Sequence, residues 1–360
     1  MSIDKVKRWI RPDVLETNAY QVQDADGMIK LDAMENPYSW PDDLIQGWLR
    51  GLADVEINRY PSPDAADLKA KLKREFAIPA GIDLLLGNGS DEIIQIIALA
   101  TTAENTIFLT PEPSFTMYEV IAGAARARFK GVPLRADFTL DLDAMLAAIQ
   151  CHEPAVVFLA YPNNPTSNLF NEQSIIKIIK QAPGIVVVDE AYHVFAGKSF
   201  LPRLLEFDNL LIMRTLSKLG LAGLRLGFLA GPESWIREFD KLRLPYNINS
   251  LTQKSTAYIL DHIDVLYEQA GKIRYDRDML YTELMSMPGI TAWPSSTNFL
   301  LFRTDRADSN EVFEKLRQEG ILIKNLKNSH PLLRGCLRVT VGTETENKRF
   351  LAALKKAQSQ

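Results

Sequence analysis

The chain has 360 residues, 46% of them hydrophobic and 24% charged, which is the composition of an ordinary globular protein long enough for two domains. A formal net charge of −4 gives no electrostatic reason to expect nucleic acid or an anionic membrane as a partner. Cys151 and Cys336 form no CxxC and fit a reducing, cytoplasmic setting, while His152, His193, His262 and His330 are too scattered to predict a metal site.

Charges run through the first fourteen residues, so no signal peptide is expected there, and no 18-residue apolar run predicts a membrane span. Residues 1–45 read as an arm, with turn or extended signals at Asp26-Gly27, Asn36-Pro37 and Trp40-Pro41. Helical spacing continues through Leu44, Trp48, Leu49 and Leu52, and ends before Tyr60-Pro61-Ser62-Pro63. Asp64 or Asp67 is the expected cap of the next helix, through Leu68, Leu72 and Phe76.

From Ile82 to about Ala230, short apolar runs alternate with helical patterns. The runs are 83–86, 106–109, 127–134, 155–159, 185–188, 210–213 and 226–229. Such runs predict an α/β fold with a mainly parallel sheet covered on both faces, in which ligands bind beyond the carboxyl ends of the strands. The residues just past each run are therefore the candidates for chemistry.

After Leu86, Gly87-Asn88-Gly89-Ser90-Asp91-Glu92 opens a helix. A glycine turn at a helix N-terminus suits an anion, although Ser90 as a plain cap explains it equally well. Phe115 stands in a proline-rich loop after Leu109, and Asn164 in the stiff turn Tyr161-Pro162-Asn163-Asn164-Pro165 after Leu159. Asp189 and Glu190 end a run of valines, which is costly unless an acid there meets a cation, and Tyr192 comes two residues later. Thr215, Ser217 and Lys218 come after the run 210–213, with Arg225 seven residues beyond the lysine. A desolvated lysine shifts toward the neutral amine, the condition for a Schiff-base nucleophile; a lysine that merely snorkels from a strand end is the alternative on this segment alone.

Helices are expected from Ser234 to about Met287, interrupted at 244–249. Strands at 290–293, 297–302, 321–324 and 336–341, with helices at 309–319 and 344–356, predict a smaller α+β unit. The expected boundaries are 1–45 for the arm and part of the smaller domain, 46–250 for the large domain, and 251–360 for the interdomain helix and small domain.

An anion cradle, an aromatic ring, an amide, an acid, a phenol, a lysine and an arginine at successive strand ends together match what pyridoxal 5′-phosphate needs. With Lys30-Leu31-Asp32-Ala33-Met34-Glu35-Asn36-Pro37-Tyr38, Arg59-Tyr60-Pro61, Asn163-Asn164-Pro165-Thr166, Asp189-Glu190-Ala191-Tyr192, Ser217-Lys218 and Leu337-Arg338-Val339-Thr340-Val341-Gly342-Thr343 in view, the chain resembles the fold-type I pyridoxal-phosphate aminotransferases. Within them it is similar to the histidinol-phosphate aminotransferase family over nearly its full length.

That resemblance implies a three-layer, mostly parallel seven-stranded sheet and transamination between histidinol phosphate and 2-oxoglutarate. It makes Lys218 the Schiff-base lysine and proton carrier, pairs Asp189 with the ring nitrogen, and sets Tyr192 and Asn164 at the ring hydroxyl and Phe115 on the ring face. Gly89, Ser90, Asp91, Ser217 and Arg225 form the phosphate cup with Thr215 close by, and Tyr60 reaches the site of a neighbouring subunit in a homodimer. Arg338, Lys324, Tyr20 and Asn36 serve the substrate. Position 324 holds lysine where relatives often have arginine, and the 218–225 loop is one residue shorter than is common. A broad-range or aromatic aminotransferase, a threonine-phosphate decarboxylase, and a non-catalytic sensor on the same fold are the rival readings.

Overall fold

The computed structural model describes residues 3–19, 23–305 and 307–358. After a short first strand, β1 (Ile29–Lys30), seven strands form the central sheet: β2 (Ile82–Gly87), β3 (Ile107–Glu112), β4 (Arg128–Pro133), β5 (Val156–Ala160), β6 (Ile185–Asp189), β7 (Leu210–Thr215) and β8 (Gly227–Pro232). Their spatial order is β2-β8-β7-β6-β5-β3-β4. Every pairing is parallel except those of β8, which runs against both β2 and β7. The link 216–226 holds only short 3-10 turns, so the chain doubles back instead of crossing over through a helix.

The strands read as continuous apolar runs because both faces are covered. Val186, Val188, Leu210 and Ile212 join a core with Met145, Ile149, Ile175, Leu266 and Ile273 on one side. Their alternates Ile185, Val187, Leu211 and Met213 join a second core with Ile93, Ile97, Tyr118, Ile236 and Phe239 on the other. This is the expected three-layer arrangement. The parallel register places Ala160 beside Asp189, and Asp189 beside Met213, so β5 and β6 end level with one another and β7 runs two residues further, to Thr215.

The C-terminal part carries β9 (Ile290–Ala292), β10 (Phe299–Thr304), β11 (Ile321–Leu322), β12 (Lys324–Asn325) and β13 (Cys336–Thr340). β12-β13-β10-β9 form an antiparallel sheet, while β11 pairs in parallel with β1. The run 321–324, expected as one strand, is therefore two, because the chain changes partners at Ile323. The stretch from Ile29 is also woven into this region. The Leu31 carbonyl accepts a backbone hydrogen bond from Thr340, and Met34 is held by Thr340 Oγ1 and by the Asn298 amide.

Two expected caps differ. Ala65, in the left-handed region at φ 48°, precedes the Ala66–Glu75 helix with no side-chain cap, and neither Asp64 nor Asp67 fills that role. Gly89 at φ 87° takes the cap position ahead of the Ser90–Thr101 helix, so Ser90 is its first residue rather than its cap.

Candidate active site

Beyond the carboxyl ends of β5, β6 and β7 lies a cavity whose wall includes Ser90, Asp91, Phe115, Asn164, Asp189, Tyr192, Thr215, Ser217, Lys218 and Arg225. Strand-end and loop segments distant in sequence thus deliver these expected residues to one space. The 3-10 turn Ser217–Leu219, closed by Gly220 at φ 115°, sets Lys218 at the mouth of β7. Its Nζ donates to the Ala33 carbonyl at 3.1 Å and lies 6.0 Å from the centre of the Tyr192 ring. Burial, reinforced by the positive charge of Arg338, lowers its pKa to about 8. At pH 7 about a tenth of such amines are neutral, against about one in 3,000 for an unperturbed lysine. The snorkelling alternative fails on this geometry.

Asp189 is 5% exposed and accepts from the Tyr118 hydroxyl at 2.6 Å and the Ala191 N–H at 3.0 Å. Among the described residues no salt bridge reaches it, and burial raises its pKa to about 6 against the opposing pull of the Tyr118 hydrogen bond. A buried carboxyl that lines a cavity without a cation suits a ligand bearing a protonated ring nitrogen. Its neighbour Glu190 is the acid that meets a protein cation: Arg214 Nη2 lies 2.7 Å from Glu190 Oε2, with both side chains buried.

The anion cradle is built as the glycine turn suggests. Arg225, left-handed at φ 50°, turns back so that Nη1 donates to Ser217 Oγ at 3.2 Å while Nη2 stands 3.8 Å from Asp91. The short 218–225 loop therefore still brings the arginine to the cup. A Cβ on Gly89 would fall 2.5 Å from Arg225 Nη2, and one on Gly227 would fall 2.9 Å from the Ser90 nitrogen. Glycine is required at 227 by that backbone contact and at 89 by its φ of 87°, and together they let the guanidinium and the helix N-terminus approach. Thr215 Oγ1 donates to Ser217 Oγ at 3.0 Å, which makes it a support for the cup.

On the side of the antiparallel sheet, Arg338 Nη1 donates to Asn164 Oδ1 at 2.5 Å and Nη2 to the Asp32 carbonyl at 2.9 Å. Lys324 lies directly opposite Arg338 across β12 and β13. Both face a second cavity that shares Met34, Phe115 and Asn164 with the first. Like charges directly opposed on neighbouring strands are destabilising, and an anion between them would relieve that repulsion. Tyr192, buried and raised in pKa by that burial, packs edge-on to Phe299.

Two expected residues lie elsewhere. Asn36 sits behind the lysine loop, its amide nitrogen donating to Gln269 Oε1 at 2.8 Å and its oxygen accepting from Tyr38 N–H at 2.9 Å. Tyr60 is 81% exposed and stacks on Tyr246, outside the cavity. Tyr20 falls outside the described residues. The reading from sequence missed Tyr118, the Glu190–Arg214 pair and Met34; the one signal for Tyr118 was its place three residues after Phe115, about one helical turn on.

A lysine with a depressed pKa, a buried acid without a protein cation, an aromatic wall and an anion cup fit pyridoxal 5′-phosphate as a set. Among the described residues no group of three or more His, Cys, Asp or Glu side chains is placed to hold a metal, and no helix is long and apolar enough to cross a membrane.

Residues 26–354 match the family model described as aminotransferase class I and II. The chain is 52% identical over 355 residues to histidinol-phosphate aminotransferase 2 of Nitrosococcus oceani, covering 99% of each chain. It is likewise 52% identical to histidinol-phosphate aminotransferase 1 of Ralstonia nicotianae, across 97% of this chain and 94% of that one. Among solved structures, the histidinol-phosphate aminotransferase of Sinorhizobium meliloti in complex with pyridoxal 5′-phosphate superposes with a TM-score of 0.86, at 23% identity and over 98% of each chain.

Proposed function

The chain belongs to the class I and II aminotransferases, and on that premise we propose that it moves the amino group of L-histidinol phosphate to 2-oxoglutarate, giving imidazole acetol phosphate and L-glutamate. The observation that carries the substrate is the opposed pair Lys324 and Arg338 beside the lysine cavity, two cations suited to a phosphate. The names of the relatives, at 52% identity over nearly the whole chain, point the same way.

Pyridoxal 5′-phosphate, when bound, supplies a carbonyl that condenses with amines and a ring that takes up electrons. Asp189 is suited to its ring nitrogen, Asn164 and Tyr192 to its ring hydroxyl, Phe115 to one ring face, and Gly89, Ser90, Asp91, Ser217 and Arg225, with Thr215 behind them, to its phosphate. Lys218 Nζ would serve as the base that takes the proton from the substrate's α-carbon and as the acid that gives it back, a task suited to an amine that titrates near neutrality. Arg338 holds the anionic end of either substrate, the carboxylate of glutamate or the phosphate of histidinol phosphate, and Lys324 adds a second cation for the latter. Tyr20 and Asn36 complete the substrate assignments, Asn36 by fixing the backbone behind Lys218.

A homodimer is part of this proposal. Ile57, Tyr60 and Leu244 are 70%, 81% and 72% exposed, and Tyr60 stacks on Tyr246. An exposed apolar group of this kind suits a second copy, whose cavity Tyr60 enters to meet the cofactor phosphate. Mixing Tyr60→Ala with Lys218→Ala subunits after exchange is expected to give more activity than the sum of the two variants, because one mixed site is intact; strict additivity overturns the crossing. Two cysteines that form no disulfide support a cytoplasmic location. The proposed division at 45 and 250 has the smaller unit supply Lys324 and Arg338 to the adjoining cavity.

Initial-rate kinetics with histidinol phosphate, phenylalanine, tyrosine and threonine phosphate at matched concentrations test the reaction. Loss of histidinol phosphate that depends on 2-oxoglutarate, with parallel double-reciprocal lines, is the expected result. Transamination of phenylalanine with histidinol phosphate untouched, or release of CO2 from threonine phosphate, would overturn the substrate.

A further inference from the structure

Tyr118 lies in the first turn of the Met117–Ala124 helix and is fully buried. Its ring stacks on Phe158 with centroids 4.6 Å apart and planes 9° from parallel, and it meets Phe115 edge-on at 5.4 Å. Between these two rings the hydroxyl is directed to Asp189 Oδ2 at 2.6 Å. Packing alone would accept phenylalanine here, and a buried phenol needs a partner to offset its desolvation. The partner it finds is the acid that carries no protein cation.

We propose that Tyr118 is a positioning residue for the reaction: its O–H fixes the Asp189 carboxylate and keeps it ionised, so that the acid stays paired with the cofactor's ring nitrogen. The inference rests on the proposed function for the cofactor itself. With Oδ2 taken by Tyr118 and Oδ1 by Ala191 N–H, the carboxylate is held from swinging away from the cavity. A hydrogen bond to the charged form also favours that form against burial. Other groups facing Asp189 work against ionisation or are already committed. Asp91 and Glu190 both repel its charge, the repulsion from Glu190 being offset in part by its pairing with Arg214, while Tyr192 has no ionised form near neutrality. Lys218 and Arg225 share the cavity, and neither is within salt-bridge distance of it. Among the described residues Tyr118 is thus the side chain that donates to this acid.

The test is Tyr118→Phe, which keeps both ring contacts and removes only the hydroxyl. Pyridoxal 5′-phosphate retention by the holoenzyme, read by its absorbance after dilution, is the measurement, together with its pH profile. The variant is expected to bind the cofactor about tenfold more weakly at neutral pH, since hydrogen bonds to charged groups are worth roughly that factor or more. As pH falls, protonation of Asp189 releases the cofactor, and the midpoint of release in the variant should lie about one pH unit higher than in wild type. Adding Tyr118→Phe to Asp189→Asn should change retention little further, because the hydroxyl acts through that carboxylate. An unchanged midpoint and affinity, or full additivity with Asp189→Asn, overturns the positioning role while leaving the aminotransferase reading intact. A wild-type protein that fails to bind pyridoxal 5′-phosphate overturns that reading and this proposal with it.

Discussion

Lys218→Ala is expected to lower transamination of histidinol phosphate by at least about 10⁴-fold, the full range ascribed to a positioned acid–base group, before counting the lost covalent anchor. The side chain is the amine of the cavity, delivered there by the Ser217–Leu219 turn and held by the Ala33 carbonyl. Among the described residues no other lysine lines that cavity. Folding should survive the change, since alanine removes a desolvated ammonium rather than a packed core group, and the thermal midpoint of the protein without cofactor should not fall. The depressed pKa adds a sign that distinguishes chemistry from structure. The reactive form is the neutral amine, so the rate at which cofactor-free wild type combines with pyridoxal 5′-phosphate should rise with pH and level off above about 8. A flat profile from about pH 6.5 to 9, or a Lys218→Ala protein with more than about a hundredth of wild-type activity, would remove Lys218 from the role assigned to it.

Glu190→Ala is expected to destabilise the protein by about 3–5 kcal/mol, a large fraction of what holds a domain folded. Glu190 is wholly buried and accepts from Arg214 Nε at 3.0 Å, Arg214 Nη2 at 2.7 Å, Ser199 Oγ and the Phe200 N–H. Truncation leaves Arg214, 6% exposed, with Ser199 Oγ and the face of Phe76 beside its guanidinium. The cost comes from the stranded cation more than from the lost attraction. Replacing both partners by apolar residues of similar size, Glu190→Met with Arg214→Leu, should therefore recover most of the loss. Denaturant melts of the three proteins decide it. If the single variant unfolds within about 1 kcal/mol of wild type, the pair is peripheral to stability. Because Asp189 precedes Glu190 and Thr215 comes after Arg214, the clamp also fixes the ends of β6 and β7 where the cavity opens.

Much of the site was legible from the chain because its chemistry sits in short contiguous blocks. In a parallel sheet the carboxyl ends of the strands share one edge, so residues just after successive apolar runs must gather there whatever the strand order. Phe115, Asn164, Asp189, Tyr192, Ser217 and Lys218 were found that way, and all line one cavity. The glycine turn before Ser90 was legible for the same reason, although which residue takes the cap position depended on the left-handed Gly89 that only the folded turn reveals.

Tertiary structure alone decided the pairings between blocks. Tyr118 and Asp189 are 71 positions apart, and Arg338 and Asn164 are 174 apart. Neither pairing can be read from periodicity, because each is set by strand order and by how the helix after β3 and the smaller sheet lean over β5 and β6. The opposition of Lys324 to Arg338 is likewise a matter of register, and a one-residue slip would have turned one of them away. Of the two acids that end β6, sequence could say only that a buried carboxylate there needs a cation. Alternation along the strand sends Glu190 to Arg214 inside the protein and Asp189 to the cavity. That division of a single Asp-Glu pair into a structural ion pair and a ligand-facing acid is what the fold adds.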